Sequence, residues 1–200
     1  MATLLAESKP ANGYSEIKLG IGEPKHEPPA FVLDVLRENL DKISRYPTTN
    51  GMFELRQTIA HWLEKRFFLN HVDANTQVLP VMGTREAIFS FVQAVVDHDV
   101  ADKESDSLAS NTSANGYKGD YRAVPKDVWT RTQLLFVCSP NNPTGAVMTM
   151  ADWEYLIRLS DQYGFIIASD ECYSELYFDT APIGLLQACV ALGRRDFKNC

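Results

Sequence analysis

Several common signals are missing from this sequence, and each absence narrows the range of functions. No apolar run reaches the roughly 18 residues that a membrane-spanning helix needs. Residues 1–18 contain no basic stretch followed by an apolar core, so we expect no secretory signal and a cytoplasmic protein. The four cysteines form no C-x-x-C pair, which favours reduced thiols. No metal site is predicted.

Basic residues are also scarce. The chain has 19 Lys and Arg against 26 Asp and Glu, a net charge of −7 and a pI of about 5.1. This balance argues against a nucleic-acid backbone or an anionic membrane as the main partner. Hydrophobic residues at 45% and charged residues at 22% are typical of a globular protein, and 200 residues suffice for one domain or one and a part.

The centre of the chain has the pattern of a strand, a helix and a second strand. Residues 134–137 and 165–168 are apolar runs without polar alternation, which is typical of strands buried in a parallel sheet. Residues 149–163 between them have helical spacing. Ligands in such units bind beyond the carboxyl ends of the strands, and Asn142 and Asp170 follow those ends.

A second strand-to-helix turn precedes this unit. Val78 to Met82 is a short strand candidate, and Gly83-Thr84-Arg85 leads from it into an apolar helix at residues 86–96. Backbone N–H groups at such a helix start can hold a phosphate, although many turns of this kind bind nothing. The same spacing predicts further helices at residues 28–40, 52–68, 125–131 and 185–192.

Two segments depart from this regular order. Leu19 to Pro24, LGIGEP, begins like a dinucleotide-binding fingerprint, but Lys25 stands where the third glycine is needed, so we reject a Rossmann interpretation. Its glycines either allow a close approach to a ligand or form a plain turn. Residues 98–122 contain almost no large apolar residue, which predicts a lid or a disordered insert.

The polar residues at the predicted strand ends form one chemical set. The turn at Gly83 suits a phosphate, and Asp170 can keep a pyridine nitrogen protonated so that the ring accepts electrons. The amide of Asn142 and the hydroxyl of Tyr173 can donate to a phenolic oxygen. This set suits pyridoxal 5′-phosphate.

Four ordered motifs carry a resemblance to a known family: LGIGEP, RYPTTNG, SPNNPTG and SDECYSELYF. Together they resemble the class I and II aminotransferases of the aspartate aminotransferase fold type, over about residues 19–97 and 116–200. Two longer stretches of the sequence, GIGEPKHEPPAF and LLFVCSPNNPTGAVM, are similar to bacterial N-succinyldiaminopimelate aminotransferases of lysine biosynthesis. The resemblance implies a three-layer α/β/α fold with a mainly parallel sheet, here incomplete.

The resemblance also implies a domain plan and site roles. Residues 1–45 would be an N-terminal arm and part of the small domain, and residues 46–200 the first part of the large domain, with an atypical polar insert or replacement at about 98–116. Gly22 would lie near the substrate carboxylate, and Tyr46 would reach the cofactor phosphate of the neighbouring subunit in a homodimer. The implied contacts to the phosphate, ring nitrogen and phenolic oxygen come from Gly83, Thr84, Arg85, Asn142, Asp170 and Tyr173.

Two departures from the family pattern qualify the expected activity. The family's Schiff-base lysine lies in a Ser-x-Ser-Lys segment that these 200 residues do not contain, and Lys198 lacks that context. The C-terminal domain with its substrate-binding arginine is also absent. Tyr117 and Tyr121 belong after the polar segment, so neither is nominated as the aromatic residue that stacks on the ring.

From these departures we expect negligible transaminase activity and at most weak, noncovalent cofactor binding by this chain. The interpretation we favour is descent from an aminotransferase that uses glutamate and N-succinyl-2-amino-6-ketopimelate. Two alternatives stay open: a noncatalytic truncated product or interaction fragment, and another fold-type I pyridoxal-phosphate enzyme such as a lyase or a synthase. A gene-model error, a natural truncation and a cloning boundary are all compatible with the sequence.

Overall fold

The computed structural model describes residues 11–15, 17, 22, 26–97, 116–194 and 196–200. The chain divides into two units, Met1–Tyr46 and Pro47–Cys200. Of the polar segment at residues 98–122, predicted as a lid or a disordered insert, residues 98–115 lie outside the described residues, and so does most of the LGIGEP piece. In the part of the chain that is described, no helix combines the length and apolar character needed to cross a membrane.

The first unit contains helix α1, Ala30–Glu38, and a 3₁₀ helix, Leu40–Ser44. Pro29 occupies the N-cap position of α1, as expected for a proline at a helix start, where its missing N–H costs no hydrogen bond. No residue of α1 is buried, and Phe31 is 69% exposed. The apolar face that predicted this helix is therefore not covered within the described residues of the unit.

The second unit is built around two parallel strands, β1, Leu134–Cys138, and β2, Ile166–Asp170. Helix α5, Met150–Tyr163, makes the connection between them. This confirms the predicted strand, helix and strand. The register pairs Leu134 with Ile166 and Cys138 with Asp170, so the polar ends of both strands lie at the same edge.

Helix α5 has well-defined ends and a buried face. Thr149 and Asp152 form a reciprocal capping box at its start, and Gly164 ends it in the left-handed conformation, with φ of 78°. Trp153 and Leu156 are completely buried, and this face packs against β2 and the last helix. The main core joins α5, both strands and the last helix through Val137, Trp153, Leu156, Ile157, Phe165, Ile167, Leu185, Ala188 and Cys189.

The remaining helices of the second unit are α2, Phe53–Phe67, α3, Thr84–Val95, α4, Lys126–Arg131, and α6, Leu185–Ala191. Their bounds differ from the predicted ones by a few residues at most. A second, smaller core forms where α2 and the segment after it pack together. Its buried members are Ala60, Phe67, Leu69, Val72 and Ala74.

One predicted strand is wrong. Residues 78–82 form no strand, and they pair with no other described segment. Pro80 has no backbone N–H to contribute to a ladder, and Leu79 and Val81 are exposed. The β-branched, apolar composition was compatible with a strand, but a strand needs a neighbouring strand with which to form hydrogen bonds.

Candidate active site

The polar residues after β1 are fixed directly to the end of β2. The backbone N–H of Ser139 donates to the carbonyl oxygen of Asp170 at 3.0 Å, which extends the parallel pairing by one bond. Ser139 is buried, and its Oγ accepts the backbone N–H of Met148 at 3.0 Å. These two bonds tie the loop that follows β1 to the strand beside it.

The loop itself closes through one asparagine. The backbone N–H of Asn141 donates to the carbonyl oxygen of Ala146 at 2.9 Å, and the backbone N–H of Gly145 donates to the carbonyl oxygen of Asn141 at 2.7 Å. The hydroxyl of Thr144 donates to the side-chain oxygen of Asn141 at 3.0 Å. Asn142 is consequently carried on a closed turn, with its side chain exposed.

The structure joins two of the predicted site residues directly. The amide Nδ2 of Asn142 donates to the hydroxyl oxygen of Tyr173 at 2.9 Å, although 31 positions separate them in the sequence. Because the tyrosine oxygen accepts this bond, its own O–H remains able to donate to another group. The pair therefore presents amide and phenol donors at one place, as expected for binding an anionic oxygen.

Asp170 ends β2 and is partly buried. Its Oδ1 accepts the backbone N–H of Cys172 at 3.1 Å, which holds the carboxylate in one orientation. Partial desolvation, followed by hydrogen bonding to Asp170 and the charge of Asp170, raises the pKa of the Cys172 thiol to about 11. The thiol beside the carboxylate is therefore protonated at neutral pH.

A cavity of about 700 Å³ opens beside this carboxylate. Asp170 and Thr84 both line it, so the end of β2 and the start of α3 face the same space. The rest of the lining is largely apolar and includes Ile88, Phe91, Phe136, Ile167, Leu185 and Leu186. Such a lining suits an aromatic ring that carries a few polar groups.

The start of α3 has the features of an anion site. Gly83 is the N-cap residue with φ of 143°, a conformation in which a side chain is strained, and no side chain caps the helix. The first turn therefore directs its N–H groups and the positive end of the helix dipole outward from Gly83. Thr84 lines the cavity, whereas its neighbours in the chain, Gly83 and Arg85, do not.

Other residues weighed in the sequence lie elsewhere. Gly22 and Tyr46 belong to the first unit, where both are exposed, and their roles stay predictions. Lys198 is exposed and does not line the cavity. Tyr121 packs against the main core, and neither it nor Tyr117 lines the cavity.

Glu171 has a role that the sequence interpretation missed. Its Oε1 accepts the backbone N–H of Leu185, the first residue of α6, and the hydroxyl of Ser169, both at 2.8 Å. Burial raises the pKa of this carboxyl, although both hydrogen bonds and the charge of Arg66 act in the opposite direction. Glu171 caps α6 in place of Gly184, the N-cap residue without a side chain, which was the available sequence signal.

The space beside Gly184 explains why this cap comes from a distance. A Cβ placed on Gly184 would lie 2.5 Å from Oε2 of Glu171 and 2.8 Å from the ring of Phe67. Glycine therefore allows the carboxylate to approach the helix start. Glu171, which is partly buried and lines the cavity, thus connects the end of β2 to the start of α6.

Comparisons with known proteins identify the family of the chain. The family model described as aminotransferase class I and II matches residues 14–101 and 108–194. An aminotransferase of known structure from Neisseria meningitidis is 41% identical, with 97% of this chain and 58% of that chain covered and a TM-score of 0.83. The aminotransferase AspB of Helicobacter pylori is 28% identical, with 99% of this chain and 56% of that chain covered and a TM-score of 0.86.

The curated relatives include the LL-diaminopimelate aminotransferase 2 of a Nostoc species, which is 30% identical over 188 residues. That match covers 84% of this chain and 48% of the relative, so the chain spans about half the length of the curated relatives it matches. The solved structures confirm the predicted fold, an α/β fold with parallel strands of the fold-type I aminotransferases. The chain belongs to the aminotransferase class I and II family.

Proposed function

We propose that the residues at the strand ends bind pyridoxal 5′-phosphate and that the whole protein is a transaminase. Support comes from family membership and from one observation above all. The amide of Asn142 reaches the hydroxyl of Tyr173 at 2.9 Å, three residues after Asp170. Two neutral donors and one carboxylate thus lie at the ends of adjacent strands.

The residues present fit this cofactor, although Asn142 and Tyr173 lie outside the lining of the cavity that Thr84 and Asp170 share. The cavity of about 700 Å³ has room for a substituted pyridine, and its lining combines an apolar surface with the carboxylate of Asp170. The uncapped start of α3 at Gly83 offers N–H groups of the kind that bind a phosphate. We infer that Gly83, Thr84 and Arg85 hold the phosphate, that Asp170 pairs with the ring nitrogen and that Asn142 and Tyr173 donate to the phenolic oxygen.

The bound cofactor would supply an electron sink for a carbanion at the substrate α-carbon. The carboxylate of Asp170 would retain a proton on the ring nitrogen, because an anion beside that nitrogen favours its charged form. The O–H of Tyr173, freed by the bond from Asn142, would stabilise negative charge on the phenolic oxygen. These groups orient and polarise, and the proton transfer at carbon needs a base from elsewhere.

For the whole protein we propose glutamate as amino donor and N-succinyl-2-amino-6-ketopimelate as acceptor, in a homodimer to which Tyr46 contributes. Relatives named LL-diaminopimelate aminotransferase, at 30% identity, support a diaminopimelate-type substrate. Assaying the complete gene product with N-succinylated and free diaminopimelate, each with 2-oxoglutarate, tests the assignment. A higher kcat/KM for the free diamino acid would reassign the substrate to the non-succinylated form.

We also infer that the 200-residue chain alone has negligible transaminase activity, because no described lysine lines the cavity. Incubation with pyridoxal phosphate, borohydride reduction and peptide mapping test this. The expected result is no pyridoxyl-lysine peptide, together with a melting temperature that rises with cofactor concentration. Pyridoxal without phosphate is the matched control and should give a smaller shift. A modified lysine would overturn the inference of inactivity, and an unchanged melting temperature would overturn cofactor binding.

A noncatalytic interaction fragment is the second candidate. Large apolar side chains are exposed in the second unit, among them Met82 at 93%, Phe89 at 68% and Phe178 at 102%. Exposed apolar surface of this kind promotes association. Size-exclusion chromatography over a range of protein concentrations distinguishes the two candidate functions. An interaction fragment should self-associate as its concentration rises, whether or not pyridoxal phosphate is present.

A further inference from the structure

Two thiols that the proposed function does not use meet beside α6. Cys189 lies on α6 and is completely buried, and Cys200 is half-buried in the segment that follows. Their sulfur atoms are 3.0 Å apart, so one thiol donates to the other. A disulfide would bring the sulfurs closer by about 1 Å. The two side chains are already in reach of each other.

The segment that carries Cys200 is anchored at several points. The carbonyl oxygen of Asn199 accepts the backbone N–H of Ile167 on β2 at 3.0 Å. The guanidinium of Arg194 binds Asp161 on α5 at 2.8 Å and donates to the carbonyl oxygen of Lys198 at 2.7 Å. These bonds fix the segment between the two cysteines, so the thiol contact belongs to the packed structure.

Access to the two sulfurs differs. Cys200 is among the residues that line the cavity of about 700 Å³, whereas Cys189 is not and has no exposed surface. A small solute in the cavity therefore meets Cys200 first. Cys189 is reachable only from Cys200, which is the position of a resolving thiol in a dithiol pair.

The charges around the pair favour the same order. Hydrogen bonding from Cys189 lowers the pKa of Cys200, and the positive charge of Arg194 acts in the same direction. The hydrogen bond to Cys200, together with burial, raises the pKa of Cys189. Because the thiolate is the nucleophile, Cys200 is the more reactive member of the pair.

We propose that Cys189 and Cys200 form an oxidisable thiol pair whose oxidant is a small peroxide. The thiolate of Cys200 attacks one oxygen of hydrogen peroxide, so the O–O bond breaks and Cys200 becomes a sulfenic acid. The hydroxide that leaves takes up the proton that the Cys200 thiol released and becomes water. The sulfur of Cys189 then displaces the sulfenic oxygen, its proton leaves with that oxygen as water, and the S–S bond forms. Two thiols are oxidised, and one peroxide is reduced to two waters.

The other two cysteines provide an internal reference. The thiol of Cys138 donates to the carbonyl oxygen of Pro140 at 3.2 Å. Cys172 is exposed, and its pKa is raised to about 11. No hydrogen bond joins these two thiols in the described part of the chain. We expect no disulfide between Cys138 and Cys172 under conditions that oxidise Cys189 and Cys200.

The test is peptide mapping of the folded chain after treatment with hydrogen peroxide. Trypsin cleaves after Arg158, Arg194 and Lys198, so Cys189 and Cys200 fall on separate peptides. The first of these peptides also carries Cys172, so the Cys172→Ser variant is mapped in parallel. The expected product is a linked peptide pair in both proteins, about 2 Da lighter than the sum of the reduced peptides and separable by dithiothreitol.

Three results would overturn the proposal: both thiols stay free for alkylation after peroxide, the cross-link joins another cysteine pair, or both sulfurs advance to sulfinic acid without a cross-link. Single variants test the order of attack. Cys189→Ser should leave a sulfenic acid at Cys200 that dimedone captures, and Cys200→Ser should leave Cys189 unmodified. The wild-type cross-link should also raise the melting temperature by about 5 °C.

Discussion

At the scale of single residues, Glu171 shows how a partly buried carboxylate beside the cavity caps the start of a distant helix. It receives hydrogen bonds from Leu185 and Ser169, and burial raises its pKa above the ordinary value of 4.5. A carboxyl with a raised native pKa stabilises the fold most when it is protonated. Its contribution is complete below about pH 4.5 and is lost as pH rises through the raised pKa.

We therefore predict opposite effects for two substitutions of Glu171. Glu171→Gln keeps an oxygen that can accept both bonds and removes the partly buried charge, so its free energy of unfolding at pH 7 should equal or exceed that of the wild type. The difference should vanish as the pH falls to 4.5. Glu171→Ala removes both acceptor bonds and should cost about 1–3 kcal/mol.

Urea unfolding of the three proteins across this pH range measures the effect. A Glu171→Gln variant that is less stable than the wild type at pH 7, and no less stable in acid, would show that the ionised carboxylate stabilises the fold. In that case the charge of Arg66 would outweigh the cost of burial.

Ser139 offers a second prediction at the residue scale. Its buried hydroxyl oxygen accepts the N–H of Met148 at 3.0 Å, and Met148 is itself buried. Ser139→Ala leaves that N–H without a partner and should lower the free energy of unfolding by about 1–3 kcal/mol. Thr144→Ala, at an exposed position in the same loop, is the control and should cost less. Equal losses in both variants would argue against a special role for the buried bond.

Residue-level roles were predictable only where a motif marked them. Asn142, Asp170 and Tyr173 follow apolar runs, and the structure brings Asn142 and Tyr173 into contact. The cap from Glu171 and the contact between Cys189 and Cys200 depend on where distant segments approach in space. The periodicity of a sequence does not indicate which distant segments come into contact. The glycine at the N-cap position, Gly184, was nevertheless a signal that another residue must cap this helix.

At the scale of elements, α5 connects the two parallel strands and packs against β2. Its capping box joins Thr149 and Asp152, with the hydroxyl accepting the N–H of Asp152 at 3.2 Å and the carboxylate accepting the N–H of Thr149 at 2.9 Å. Asp152 also binds Lys118 at 2.6 Å, which lowers the pKa of the carboxyl together with the bonds from Thr149, against the effect of burial.

We predict that Thr149→Ala lowers the free energy of unfolding by about 1 kcal/mol, within a range of 0.5–2 kcal/mol. Thr58→Ala is the matched control, because Thr58 is exposed in the interior of α2 and its hydroxyl only donates back to Glu54. Alanine is the better helix former there, so that change should be neutral or slightly stabilising. Chemical denaturation measures both, and a Thr149→Ala variant as stable as the wild type would contradict the role of the box.

The elements with the strongest periodicity were the best predicted. Helix α5 and both strands lie where the apolar pattern placed them. The expected burial of the strands is met only in part, because Val137 and Ile167 are buried whereas Phe136 is 40% exposed. The predicted strand at residues 78–82 failed because strand formation depends on a partner, which composition cannot supply. Helix α1 formed as predicted although none of its residues is buried. Its apolar spacing predicted an amphipathic helix but could not indicate which segment covers the apolar face.

At the scale of the whole molecule, the chain carries a recognisable part of a fold. It matches about half the length of its curated relatives and 58% of the Neisseria meningitidis aminotransferase structure. Within that part, the carboxylate of Asp170 and the start of α3 face one cavity. We therefore expect cofactor recognition to reside in these 200 residues and transamination to need groups that they do not place at the cavity.

The most direct test of this account is an equilibrium titration of the chain with pyridoxal 5′-phosphate, followed by absorbance and repeated on two variants. Asp170→Asn keeps the shape and the acceptor for the N–H of Cys172 but removes the charge, whereas Asp179→Asn makes the same change at an exposed position away from the cavity. We predict saturable binding by the wild type, unchanged binding by Asp179→Asn and affinity at least about tenfold weaker for Asp170→Asn. Equal affinities for all three proteins, or no saturable binding by the wild type, would contradict the assignment of Asp170 and of the site.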